Sequence, residues 1–316
     1  MKNLLFSTLF LLAGAALFTA CKDDNDTVAP NNITDLAANT ADLSTLVEAV
    51  KYAGLEDVLN GNTAGKFTVF APTNAAFSSL LSSLGATKLS DLPSSAVKDI
   101  LLYHVVAGEV RAANVTTGYV PSSLNFTGST FPVSLFANTA SGVKINEATV
   151  TTADVLADNG VVHIIDKVMV PPTVVNHALN NPNFSILVAA LTRSDLGVDY
   201  VGVLSGTGPF TVFAPTNSAF AALLTELNVA DLNAIDAATL NKVLQYHVVA
   251  NANVRSGALT DGQVVPTFGG QNLTIDLDGG AKIIDANNRT SNIVVVDVQA
   301  TNGVIHAIDK VILPQL

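Results

Sequence analysis

Four of the five histidines fall at equivalent places in two halves of the chain, His104 with His247 and His163 with His306, and two acids do the same, Asp154 with Asp297. His177 alone is unmatched. An Asp-His pair performs nucleophilic catalysis when a serine or cysteine stands beside it. No G-x-S-x-G elbow occurs, and the single cysteine, Cys21, lies near the N-terminus, so neither a catalytic residue nor a cofactor is expected. Asp154 and Asp297 each sit six positions before the glycine of an Asn-Gly pair, in apolar segments. An imidazole among valines needs a partner, because an unsatisfied buried polar group costs about 1 to 3 kcal/mol. The expectation is therefore structural: His104 bonds Asp154 and His247 bonds Asp297, fixing a helix end to a sheet.

Other side chains of the right type carry less. His163 with Asp166, and His306 with Asp309, are of metal-ligand type. Residues three apart on a strand point to opposite faces, so each pair cannot close on one ion. Asp276, Asp278 and Asp285 could hold calcium with neighbouring carbonyls or be solvated turn residues. No metal is expected. Tyr103 and Tyr246 precede His104 and His247, and flanking Leu102, Val105 and Val106 point to rings packed in a core against Leu101 or Leu244.

The elements that must position these residues also come twice. FTVFAPTNAAF at Phe67 returns as FTVFAPTNSAF at Phe210, LLYHVVAG at Leu101 as LQYHVVAN at Leu244, and NGVVHIIDKV at Asn159 as NGVIHAIDKV at Asn302, each pair 143 positions apart. That period is too long for a solenoid repeat, so each copy holds its own core. Leu43, Leu46, Val47 and Val50, and likewise Phe184, Leu187, Val188 and Leu191, predict an amphipathic helix opening each copy. FTVF reads as a buried strand stopped by Pro72 or Pro215, after which Thr73 or Asn74, and Thr216 or Asn217, can cap a helix. A third helix ends at the Tyr-His pair. Beyond it the period becomes alternating with Gly and Asn turns, predicting antiparallel strands, and Val161–Val170 and Val304–Leu313 read as central strands. Pro171 and Pro172 form a short, stiff connection, which implies modules packed with limited freedom.

Charge and ends limit the role further. Lys and Arg number 15 against 26 Asp and Glu, with no basic cluster, so nucleic acid is excluded as a partner. Lys2, the apolar run Leu4 to Phe18 and small Thr19 and Ala20 read as an export leader over residues 1–20; the alternative, a membrane-spanning helix, is short against the ~20 residues required. Cys21, followed by Lys22, Asp23, Asp24, Asn25 and Asp26, resembles a bacterial lipoprotein processing site, with Phe18 where leucine is usual. The resemblance implies lipid on Cys21 as the membrane partner, with acyl chains burying methylenes at ~0.8 kcal/mol each. Residues 21–31 read as a disordered acidic tether, or resemble the tag sending some Gram-negative lipoproteins to the outer face of the outer membrane.

The three repeated blocks resemble those of fasciclin-like domains, over roughly Ile33 to Pro314. The resemblance implies an α+β fold: two modules, residues 32–171 and 172–316, each a wedge-like antiparallel β-sandwich with helices packed at one edge. It also implies adhesion or matrix binding, and it marks Tyr103, His104, Tyr246 and His247 as candidate partner contacts. The expectation is a non-catalytic, lipid-anchored protein of the cell envelope, probing an extracellular protein or polysaccharide of unknown identity. The alternative is an extracytoplasmic carrier of a lipophilic molecule or glycan, with a cavity lined by residues such as Phe126, Phe131, Phe136 and Phe268.

Overall fold

The β-branched and aromatic runs of the repeated blocks become the middle of a sheet in each half of the chain. The computed structural model describes residues 32–60 and 65–316, so the leader, Cys21 and the acidic segment lie outside the described residues. Module 1 runs α1 (Ile33–Ala38), α2 (Ser44–Tyr52), α3 (Glu56–Leu59), β1 (Phe67–Pro72), α4 (Asn74–Ser83), α5 (Ser94–Tyr103), β2 (Val105–Ala107), β3 (Gly118–Asn125), β4 (Pro132–Asn138), β5 (Lys144–Ile145), β6 (Ala148–Ala157) and β7 (Gly160–Ile165). Module 2 repeats the order as α6 (Val174–Asn180), α7 (Ser185–Leu191), α8 (Tyr200–Ser205), β8 (Phe210–Pro215), α9 (Asn217–Glu226), α10 (Ala237–Tyr246), β9 (Val248–Ala250), β10 (Val264–Pro266), β11 (Asn272–Asp276), β12 (Lys282–Ile284), β13 (Thr290–Ala300) and β14 (Gly303–Ile308).

Seven strands of module 1 form one ladder, β2-β1-β7-β6-β5-β4-β3, and module 2 forms β10-β11-β12-β13-β14-β8-β9. Irregular register in β6 between Val150, Thr152 and Val155 bends the ladder. Phe70, Val106 and Ile165 then pack in one cluster with Leu124, Val133, Leu135 and Ile145, which is the interior of a sandwich. The opposite face of the same strands, Val69, Ala71 and Val162, packs with Leu46, Val50, Phe77 and Leu101 of the helices. Alternation along β1 and β7 thus feeds two cores from one strand pair.

Two features differ from the sequence expectation. The central pair of each module is parallel, β1 with β7 and β8 with β14, rather than antiparallel. The closing strand arrives from the far end of its module, across the whole sandwich, and parallel pairing needs such a long return. Each module also opens on a short helix ahead of the amphipathic one, α1 capped by Asn32 and α6 by Thr173. Six or seven residues with two or three large apolar side chains carry too little periodicity to be read.

The closing glycines have a steric reason. A Cβ on Gly160 would lie 1.9 Å from the Phe67 carbonyl oxygen, and one on Gly303 2.2 Å from that of Phe210. The neighbouring asparagines tie down the first helix: Asn159 accepts from Ile33 N and donates to Leu59 O, and Asn302 accepts from Val174 N and donates to Leu204 O.

Candidate functional site

Each Tyr-His pair lies where a helix runs straight into a short strand. α5 ends at Tyr103 and α10 at Tyr246, and both tyrosines are fully buried. The Tyr103 hydroxyl donates to Ser134 O at 2.8 Å and accepts from Asn146 Nδ2 at 2.8 Å. Tyr246 donates to Asn272 O at 2.7 Å and accepts from Ala286 N at 3.0 Å. Burial pushes both phenols up from their ordinary pKa. Neither hydroxyl is free to meet a partner.

The two expected His-Asp bonds are not formed. His104 Nδ1 donates to Ile100 O at 2.7 Å, one turn back in α5, and Nε2 accepts from Met169 N at 2.9 Å. His247 repeats this with Val243 O at 2.7 Å and Ile312 N at 3.2 Å. A carbonyl can only accept and an amide can only donate, so both rings are neutral Nδ1–H tautomers. Burial holds each of them down at about 4. They stitch a helix end to the segment after the closing strand, the architectural role expected, through backbone rather than carboxylate.

Asp154 and Asp297 serve the other histidines. His163 Nδ1 accepts from Asp154 N at 3.2 Å and Nε2 donates to Val110 O at 2.9 Å. His306 accepts from Asp297 N at 3.3 Å and donates to Val254 O at 2.9 Å. The acids sit in the bulges of β6 and β13 with φ of 59° and 60°, a conformation that Asp tolerates better than most residues. Antiparallel pairing puts those bulges opposite His163 and His306, and β1 and β7, or β8 and β14, stand between them and the helix end. Their carboxylates instead cap the short turns after β2 and β9, accepting from Ala112 N at 2.8 Å and Ser256 N at 2.7 Å. The rings of His163 and His306 stack on Phe70 and Phe213 at 5.7 Å.

The remaining candidate residues also bond within the chain. Thr73 and Thr216 cap α4 and α9 by accepting from Ala76 N and Ala219 N. Asn74 and Asn217 reach across instead: Asn74 accepts from Thr45 N and donates to Ala41 O, and Asn217 accepts from Ile186 N and donates to Pro182 O. Asp166 accepts from Thr149 N and Asp309 from Asn292 N, away from their histidines. Asp285 is buried, accepting from Asn287 N, Arg289 N and Leu313 N, while Asp276 pairs with Lys282 at 3.1 Å. Among the described residues no group of three or more His, Cys, Asp or Glu is placed to hold a metal.

The four phenylalanines do not converge on one cavity. Phe136 is buried against Tyr119 at 5.0 Å, Phe131 lies under the Arg255 guanidinium at 4.4 Å, and Phe268 is 54 % exposed. Phe126 lines an open cleft, of about 550 Å³, with Asp99, Val170, Pro171 and Thr301.

One site escaped the sequence reading: the seam between modules, both of which fall in one compact unit. Tyr119 of β3 meets His177 of α6 edge-on at 5.6 Å and accepts from Asn181 Nδ2 at 3.1 Å. His177 is fully buried, donates from Nε2 to Gln299 O at 3.1 Å, and is held down at about 4 by burial. Its isolation from the matched histidines was the signal available in the sequence. On the outside, Val294, Val295 and Val296 in the β13 bulge are 53, 39 and 44 % exposed, where module 1 has Thr151, Thr152 and Ala153. An exposed apolar patch is therefore present on one module at this place and not repeated on the other.

The sequence profile of the Fasciclin domain matches residues 41–171 and 182–314, and the chain belongs to the fasciclin-domain family as a tandem pair. It is 44 % identical over 140 residues to Protein sll1483 of Synechocystis sp., covering 44 % of this chain and 73 % of that protein. It is 32 % identical over 256 residues to transforming growth factor-beta-induced protein ig-h3 of Sus scrofa, covering 79 % of this chain and 35 % of that protein. Periostin of Homo sapiens is 29 % identical over 255 residues, covering 79 % of this chain and 28 % of periostin. The chain thus spans about a third of the animal relatives' length. The solved FAS1 domain pair from the insect cell adhesion molecule Fasciclin I aligns with TM-score 0.49 and 22 % identity, covering 87 % of this chain and 97 % of that one.

Proposed function

We propose that this chain is a non-catalytic adhesion or ligand-binding protein, held in the bacterial cell envelope by lipid on Cys21 and meeting an extracellular protein or polysaccharide with its outer surfaces. One observation carries the reading: the matched histidines and tyrosines, the residues best suited to chemistry, are buried and bonded to backbone, and in Tyr103 to the Asn146 side chain as well. Groups so engaged serve architecture, and partner contact falls to exposed positions such as Val294 to Val296. Membership of the fasciclin-domain family supports the same reading. Attachment is tested by coating a surface with the chain and counting bound cells and bound matrix polymers against a denatured control. Attachment equal to that control rejects adhesion. The anchor is tested by mass spectrometry of the mature N-terminus and by Cys21→Ala, which moves the protein from the membrane to the soluble fraction.

A further inference from the structure

The interiors of the two sandwiches differ by four carbon atoms at two equivalent positions. Tyr103 donates to Ser134 O and Tyr246 to Asn272 O, which makes Ser134 equivalent to Asn272 and so Ala137 equivalent to Ile275. Strand pairing agrees, because Ala137 lies opposite Ile145 and Ile275 opposite Ile283. Val115 and Leu259 correspond in the same way, each following the short turn that Asp154 or Asp297 caps. Isoleucine has three side-chain carbons more than alanine, and leucine one more than valine.

In module 2 those carbons are packed: Ile275 is fully buried and Leu259 nearly so, in a cluster with Phe213, Val249 and Ile283. In module 1 the matching place is a cavity of about 110 Å³ lined by Phe70, Val106, Val115, Leu135, Ala137 and Ile145. Asn114 and Thr116, both exposed, also line it, so it opens to the surface beside them. Apolar cavities of this order, ~150 Å³ in an engineered case, stay dry and take benzene or xenon. An unfilled apolar space in one copy, with a polar rim at its mouth, is suited to an apolar group that arrives from outside.

We propose that module 1, and not module 2, binds the end of a single alkyl chain in its sandwich, with the chain's polar head left at the rim by Asn114 and Thr116. The inference is independent of adhesion, and either can fail without the other. The full chain is titrated with benzene and with decanoate while the methyl NMR signals of Ile145 and Ile283 are followed. The expected result is a saturable shift at Ile145 for both compounds, mutual competition, and no shift at Ile283. Ala137→Ile, which installs the module 2 residue, abolishes the shift at Ile145; Val115→Leu, a milder filling that keeps the fold testable, weakens it. No shift at Ile145, an equal shift at Ile283, or undiminished binding in both variants overturns the proposal. Binding of benzene without decanoate overturns the alkyl-chain assignment.

Discussion

Gln299 of module 2 donates its backbone N–H to the Ser134 hydroxyl of module 1 at 3.0 Å, with both residues buried. The Gln299 side chain is saturated too, donating to Asn253 Oδ1 and Gly303 O and accepting from Asn253 Nδ2 and Arg255 Nη1. The equivalent residue in module 1 is Leu156, 49 % exposed. Gln299→Leu removes the side chain that pairs both ends of the Asn253 amide and lowers stability by about 1 to 3 kcal/mol. Urea unfolding of the whole chain measures it, and an unchanged midpoint contradicts the role given to this side chain inside module 2.

Three buried histidines make the fold acid-sensitive. His104, His177 and His247 are held at about 4, below the ordinary value of 6.5. Between these values the unfolded chain binds protons that the folded chain does not, so stability is full above about pH 6.5 and falls as pH drops toward 4. A shift of this size corresponds to roughly 3 kcal/mol for each ring. His177→Leu, matching Leu36 in the first helix of module 1, reduces the slope of stability against pH in that window; a slope identical to that of the parent contradicts the assignment.

Tyr103→Phe and Tyr246→Phe remove hydroxyls that accept from Asn146 Nδ2 and Ala286 N. Each costs about 1 to 3 kcal/mol of stability through the donor left without a partner. Attachment per folded molecule is unchanged, since neither hydroxyl reaches the surface. A selective loss of attachment at normal stability would return these tyrosines to the list of contact residues.

The β13 bulge supplies the opposite test. Replacing Val294, Val295 and Val296 by Thr, Thr and Ala, the module 1 residues, changes exposed positions and shifts stability by no more than about 0.5 kcal/mol. Attachment of cells or matrix to the coated surface falls. Full attachment by this variant directs the search for the contact surface elsewhere.

Gly303→Ala places a methyl within 2.2 Å of a backbone oxygen of β8. Backbone cannot move aside as a side chain can, and the loss is about 4 kcal/mol or more. Gly54→Ala, where nothing lies within 4 Å of the new carbon, is the control. Its positive φ alone costs about 1 kcal/mol. Thermal unfolding of the two variants separates steric from conformational strain.

Repetition made the architecture legible. Two copies of FTVFAPTN, Tyr-His and Asn-Gly-x-x-His established a duplicated module, its buried strands and its helix caps, because periodicity and turn chemistry are local. Burial of Tyr103 and the structural service of His104 also followed from their apolar neighbours. Which partner each group took did not: His104 reaches Met169 and Asp154 lies against His163, since a bulge and a parallel strand pair set their positions. The seam of Tyr119, His177 and Gln299 and the unequal interiors at Ala137 and Ile275 were likewise decided in three dimensions. They depend on contacts between segments tens to more than a hundred residues apart, and composition and spacing along the chain carry no record of which faces such segments turn to one another.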